Sequence, residues 1–447
     1  MTQLPAWRSV GRSRPSSRCR ACVGAPQAFL RRPATEPPIN AASSVAFRLP
    51  KRLTFVTCGT VRAILKDDQS LAETDEALDG WRGIAALIIV FCHCGSDLRH
   101  RPFVVFGFSG VHLFFVLSGY LISKPYLARL LAGQPLPSWR RYALRRITRI
   151  YPTFIVALAF YSLMRVAAHL HPPSTGSLIS HALLVFNWGD RAQFFSLNAV
   201  MWSLAIEAQF YVILPLAAAI ARWLARDKGE RAVLMILIGL ILVGLLSRGL
   251  EYSTSPPGTV RFRLPFSFLD LFAMGILVAC VELKYGVRLR GQLAMRVALG
   301  VFASLSVLAL NNWVLASGTF DWFTPPTIQQ ACLYPIGLCA AFALLLLVLR
   351  SRSRYHVPVL TSRGAIFLGE ISYSVYLYHI AVEYTLLALA PKRISSWLVG
   401  HNFIYGLVAL PFIVVVSYVA YRLVEAPAVS WGARWSARSQ PVPVTRS

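Results

Sequence analysis

Carboxylates are scarce in this chain. Nineteen Asp and Glu stand against forty-five Lys and Arg in 447 residues, and only 14% of positions are charged. A soluble domain carries about 25% charged residues, so the composition excludes the two or three soluble domains that the length alone would allow. The eight cysteines follow no disulfide or zinc spacing. Cys19 and Cys22 make a single C-x-x-C with no second pair, and Cys92 and Cys94 flank His93 at positions that point to different helix faces. No metal site is expected. The absence of an internal repeat argues against a solenoid, and no apolar run of useful length precedes residue 80, which argues against a secretory signal peptide. What the chain has in excess is hydrocarbon: 56% of residues are hydrophobic and the mean hydropathy is +0.54. The composition predicts one large all-α, polytopic membrane domain.

The net charge of +26 has to be located before it is interpreted. Residues 1–66 hold twelve Lys or Arg and one acid, Glu36, in an Arg-, Ser-, Pro- and Ala-rich stretch without hydrophobic period. Three readings stand for this basic N-terminal extension, 1–77. It lies upstream of the true start codon (Val56 and Val61 are candidate starts), or it is a disordered cytoplasmic tail, or it is a targeting segment. Folding logic begins near Leu78.

A bilayer core needs about 20 apolar residues in helical form. Runs of that order occur near 79–97, 103–123, 150–168, 199–221, 232–250, 264–283, 297–316, 332–349, 365–390 and 403–424. The segment 178–188 is too short to cross. With the N-terminus inside, the loops 124–149, 222–231, 284–296, 350–363 and the tail from 422 carry twenty-three Lys or Arg, against seven in the alternate loops. The positive-inside rule therefore predicts about ten transmembrane helices with both termini cytoplasmic. The excess charge then meets anionic lipid headgroups, and no nucleic-acid partner is needed to explain it.

Ionisable groups inside spans are costly and mark function or pairing. Arg82 and His93 are eleven residues apart, which returns them to one helix face roughly 16 Å apart along the axis. Glu207, in the fourth span, is expected at a depth comparable with His93, and there it would be protonated or need a partner. Tyr373, Tyr376 and His379 recur at a spacing of three and make one polar stripe. In the second span Ser118 and Gly119 suit close helix contact. Arg146 and Arg149 share a face in the most basic segment, where bidentate contacts to a polyphosphate would be natural. Each of these residues also has a packing or snorkelling reading.

Six segments in order resemble the acyltransferase-3 family of bacterial integral-membrane acyltransferases, which includes O-antigen and exopolysaccharide O-acetylases. They are Leu78-Asp79-Gly80-Trp81-Arg82-Gly83-Ile84-Ala85-Ala86-Leu87 with His93, Phe114-Phe115-Val116-Leu117-Ser118-Gly119-Tyr120, and Arg145-Arg146-Ile147-Thr148-Arg149-Ile150-Tyr151-Pro152. The others are Trp202-Ser203-Leu204-Ala205-Ile206-Glu207-Ala208-Gln209-Phe210-Tyr211, Ile371-Ser372-Tyr373-Ser374-Val375-Tyr376-Leu377-Tyr378-His379 and Arg422-Leu423-Val424-Glu425-Ala426-Pro427. The resemblance implies a transmembrane domain at 78–427 followed by a short cytoplasmic tail at 428–447, without the extra extracytoplasmic hydrolase-like domain of some relatives. It implies residence in the bacterial cytoplasmic membrane, no permanently bound cofactor, and acyl-CoA (acetyl-CoA foremost) as co-substrate. The acceptor would be a hydroxyl on a cell-surface or exported glycan or glycolipid. The family's Arg-then-His pattern falls on Arg82 and His93 and its Arg-x-x-Arg pattern on Arg146 and Arg149. Two departures stand out: His112 where many relatives carry Asp, and Ala208 where a second Glu is common.

On this reading Arg146 and Arg149, with Arg82, hold the CoA phosphates, and His93 is the general base. Glu207 orients that His or positions the acceptor, while Asp79, Ser118, Tyr373 and His379 bind substrate or support the site. Direct transfer and an acyl-enzyme intermediate both remain open. The reading from another class is a transporter or flippase of a lipid-linked sugar, which intramembrane ionisable groups also suit. It lacks the repeated half common in transporters.

Overall fold

A computed structural model describes residues 75–94, 102–169, 171–226, 228–256, 263–285, 293–316, 327–350 and 358–438. The N-terminal extension before Asp75 and residues 439–447 lie outside the described residues, and with them the readings made for the extension. Among the described residues every regular element is helical. The order is α1 Glu76–His93, α2 Pro102–Leu131, α3 Trp139–Ala167, the short α4 Thr175–Ala182, α5 Trp202–Leu224, α6 Gly229–Thr254, α7 Leu269–Tyr285, α8 Leu293–Ala316, α9 Ile328–Arg350, α10 Arg363–Glu370, α11 Ser372–Leu389, α12 Lys392–Gly400, α13 Asn402–Ala420 and α14 Ala426–Arg438.

Eight helices are long and apolar enough to cross a membrane, and α10 with α11, bent by 77°, make a ninth when taken together. Ten were expected. The run that falls short is α1, whose 18 residues carry Glu76, Asp79 and Arg82. The run 178–188 forms the eight-residue α4 and a 3-10 turn, in line with a segment that does not cross. Leu234, Leu246, Phe302, Val415 and Leu423 point outward with more than half of their surface open. Apolar side chains so placed are at home in acyl chains, where an apolar outer face costs nothing. The chain is a multi-pass membrane protein.

Three expectations need correction. The basic loop 124–149 is mostly helix: Lys124 and Arg129 extend α2, Arg140 through Arg149 open α3, and only 132–138 connect them. Arg and Lys are good helix formers, so the helices continue past the point where apolar character ends. The ninth run is broken at Ile371. There α10 packs on α1 while α11 packs on α13 as well as α1, so the two pieces follow different partners. The tail boundary at 428 falls inside α14, which continues from α13 through a π-helical turn, Tyr421–Glu425, and packs on α3. There Gly432 sits against Thr148, and the Arg145 Nε donates to Ser436 Oγ at 3.3 Å.

Small residues bring the central helices together. Gly275 of α7 lies against the Val116 carbonyl and the Tyr120 amide of α2, and a Cβ there would stand 2.6 Å from the Tyr120 nitrogen. Gly83 of α1 abuts α10, with a notional Cβ 2.9 Å from the Gly369 nitrogen. An aromatic cluster fills the space beside α2, α5 and α7, with Phe210 stacked on Phe272 at 4.0 Å and Phe115 tilted against Phe272 at 4.8 Å. Close backbone approach of this kind is how helices associate where lipid offers no hydrophobic drive.

Candidate active site

The first helix runs between two polar clusters. Near its start Arg82 forms an ion pair with Asp79 at 3.4 Å. The same guanidinium interacts electrostatically with Arg149 of α3, Glu207 of α5 and Glu425 of the π turn. Arg146 is held by aromatic faces, its guanidinium carbon 5.2 Å from the Tyr211 ring and 5.6 Å from the Tyr142 ring. The Tyr142 hydroxyl donates to the Tyr211 carbonyl at 3.0 Å, and the Tyr211 hydroxyl to Glu207 Oε1 at 2.9 Å. Ser118 of α2 donates to the same carboxylate oxygen. Three arginines from two helices thus meet in one place among two tyrosines and three carboxylates. A guanidinium near aromatic faces is attracted to the rings and carries several donors that an anion can use.

Near the end of α1 lies the second cluster. His93 Nδ1 is 2.9 Å from the Ile89 carbonyl and 3.3 Å from Nε2 of His379. One turn beyond, the buried Glu383 receives the Cys94 thiol at 3.5 Å. Between the clusters the Tyr376 hydroxyl meets Ser203 Oγ at 2.6 Å and donates to the Val200 carbonyl.

The expected stripe on α11 therefore splits among three neighbours. Tyr373 donates to the Ile150 carbonyl of α3 at 2.8 Å, Tyr376 reaches the start of α5, and His379 reaches α1. The structure brings Arg82, Arg146, Arg149, Asp79, Ser118, Glu207 and Tyr373 to one end and His93 with His379 to the other. It does not bring Glu207 to His93. Glu207 bonds Ser118 and Tyr211, one turn past the Ser203 that marks the level of Tyr376. The expected common depth of Glu207 and His93 is not what the partners indicate, because Glu207 shares the surroundings of Arg82, eleven residues before His93 on α1. Among the described residues, no three His, Cys, Asp or Glu stand together as metal ligands.

Four residues were not singled out beforehand: Tyr142, Tyr211, Ser374 and Glu425. Tyr142 stands four residues before Arg146, and Tyr211 four after Glu207, so helical spacing alone could have found both. Glu425, 1% exposed, is bonded by Ser374 at 2.7 Å and interacts with Arg149 and Arg82. Its sequence distance from both arginines hides that relation.

The relatives fit this picture. Peptidoglycan O-acetyltransferase OatA of Listeria monocytogenes is 23% identical over 368 residues, which cover 78% of this chain and 55% of that protein. O-acetyltransferase OatA of Staphylococcus aureus is 25% identical over 366 residues, covering 78% and 56%. The chain spans about half the length of the curated relatives it matches. No solved structure matches it. The profile of the acyltransferase-3 domain matches residues 75–422, from the N-cap of α1 into the start of the π turn that follows α13, and takes in both polar clusters apart from Glu425. The chain belongs to the acyltransferase-3 family of acyltransferase domains.

Proposed function

We propose that the protein is a membrane O-acyltransferase that moves an acyl group, acetyl foremost, from acyl-CoA to a hydroxyl of a cell-surface or exported glycan. One observation carries this reading: a single helix, α1, presents Arg82 within a three-arginine cluster and His93 about 16 Å further along its axis. The donor's phosphates and its thioester need two such sites, a cationic one and one with a base, separated by the length of an extended pantetheine arm. Arg146, Arg149 and Arg82 bind the phosphates at the cytoplasmic surface, where the basic ends of α2 and α3 also lie. The thioester reaches His93 in the opposite half of the membrane.

His93 Nε2 takes the proton of the acceptor hydroxyl as its oxygen bonds to the acyl carbon. The C–S bond breaks, and the departing CoA sulfur recovers the proton from His93. A hydroxyl is too weak a nucleophile at neutral pH without such a base. Glu207, bonded to Ser118 and Tyr211, holds the Arg146 side of the donor site through the Tyr211 ring. The names of the relatives favour a glycan acceptor, with peptidoglycan one member of that class beside exopolysaccharide and lipopolysaccharide.

The test is ester analysis of surface glycans by mass spectrometry in strains carrying the intact protein, His93→Gln or a deletion, at matched membrane levels. Loss of one acyl mass in both altered strains is the expected result. An ester that persists in His93→Gln removes His93 from the chemistry. Unchanged esters with reduced glycan export would replace acyl transfer by transport.

A further inference from the structure

The ring pair at the end of α1 has a protonation pattern that follows from its partners. His379 Nδ1 lies 3.1 Å from the Val375 carbonyl oxygen and 2.9 Å from that of Tyr376. Carbonyls only accept, so this nitrogen carries the proton, and in the neutral ring Nε2 bears the lone pair. His93 Nδ1 faces that lone pair at 3.3 Å and the Ile89 carbonyl at 2.9 Å. Both partners are acceptors, so Nδ1 is the protonated nitrogen of His93 as well. Its Nε2, which has no hydrogen-bond partner among the described residues, is left as the lone-pair nitrogen.

A backbone carbonyl is not what distinguishes His93. His181 and His401 also donate from Nδ1 to the carbonyl four residues back, each at 2.8 Å. The second acceptor is the distinguishing feature. We infer that His379 is the positioning residue of His93: its neutral imidazole receives the Nδ1 proton, fixes the ring and turns Nε2 toward the reacting hydroxyl. This inference rests on the acyl-transfer reading above. It gives His379 the place that a carboxylate holds in a Ser-His-Asp triad, a place the sequence had offered to Glu207.

A neutral partner suits the location. His379 is fully buried, and its other ring neighbour is Tyr376, 6.0 Å away. The nearest carboxyl on α11, Glu383, is bonded by Cys94 and by neither imidazole. A buried carboxylate beside His93 would add an ion to the membrane interior in the resting state, whereas the imidazole adds a charge only while His93 holds the transferred proton.

The experiment uses the full chain in lipid bilayers with 15N-labelled histidine. A through-hydrogen-bond 15N–15N coupling between His93 Nδ1 and His379 Nε2, with His93 Nε2 unprotonated, is expected. Absence of that coupling, or a proton on His93 Nε2, overturns the pairing whatever the activity. In turnover with acetyl-CoA, His379→Phe should lower kcat by roughly a hundredfold, with the KM for acetyl-CoA within about twofold. His379→Gln, whose side-chain carbonyl replaces the lost acceptor, should recover at least tenfold of that loss. An undiminished kcat in His379→Phe overturns the role. If the unaltered protein forms no ester, the acyl-transfer reading fails, and the coupling still decides whether the pair exists.

Discussion

Ser374 and Glu425 are joined by a hydrogen bond of 2.7 Å that ties α11 to the π turn after α13. The bond occupies one carboxylate oxygen. The other, Oε1, is buried with no hydrogen-bond partner among the described residues, and the carboxylate interacts with Arg149 and Arg82. Glu425 thus offsets the mutual repulsion of two arginines proposed to hold the donor's phosphates. Glu425→Gln keeps the bond from Ser374 and removes the charge. It should raise the KM for acyl-CoA roughly tenfold, or about 1.4 kcal/mol, with a smaller effect on kcat. Steady-state kinetics in vesicles measures this, and an unaltered KM would count against the assignment.

Arg146 lies against two aromatic rings, Tyr142 and Tyr211. A guanidinium there offers a planar fork of donors as well as its charge, whereas a lysine ammonium keeps the charge but loses the fork. Arg146→Lys should therefore cost about 1–2 kcal/mol of donor binding, read as a rise in the acyl-CoA dissociation constant by calorimetry. Equal binding by the two forms would mean that charge alone matters at this position.

Gly275 meets the backbone of α2, where an added Cβ would fall 2.6 Å from the Tyr120 nitrogen. Neither helix backbone can yield as a flexible side chain would. Gly275→Val should separate α2 from α7 and lower stability by about 3 kcal/mol, seen as a fall in Tm of the detergent-solubilised protein. Gly249 of α6, whose added Cβ would meet nothing within 4 Å among the described residues, supplies the control: Gly249→Ala should hold Tm or raise it slightly.

His181 of α4, outside the spanning helices, stacks on Phe186 at 4.0 Å, and its Nε2 is buried without a hydrogen-bond partner among the described residues. Burial pushes its pKa below the ordinary value of 6.5. The sign follows: the opened segment binds the proton more readily, so stability is full above 6.5 and is lost as pH falls. Hydrogen exchange of residues 175–188, corrected for intrinsic rate, should show more opening at about pH 5 than at about pH 8. His181→Phe should abolish the difference, and a profile flat in the unaltered protein would refute the account.

Much of the fold was legible in the sequence because membrane helices are written in local terms. Apolar length marked most of the spans, and the shortness of 178–188 agrees with the eight-residue α4 found there. Arg82 and His93 on one face needed only the helical repeat, and so would Tyr142 with Arg146 and Glu207 with Tyr211. The extent of the basic helices was not visible, because hydropathy records where lipid ends rather than where the backbone stops coiling. The break at Ile371 was hidden too, since α10 and α11 part company by docking on different neighbours.

What the sequence alone determined is the inventory: an all-helical membrane chain, its intramembrane ionisable groups, and its resemblance to a family. Tertiary structure decided which of those groups meet. Glu207 went to Ser118 and Tyr211, Glu425 to Ser374 and the arginines, and His379 to His93. These choices depend on the relative heights and rotations of helices far apart in sequence. Side-chain packing sets those heights at contacts such as Gly275 on Tyr120, and no local pattern in the chain records them.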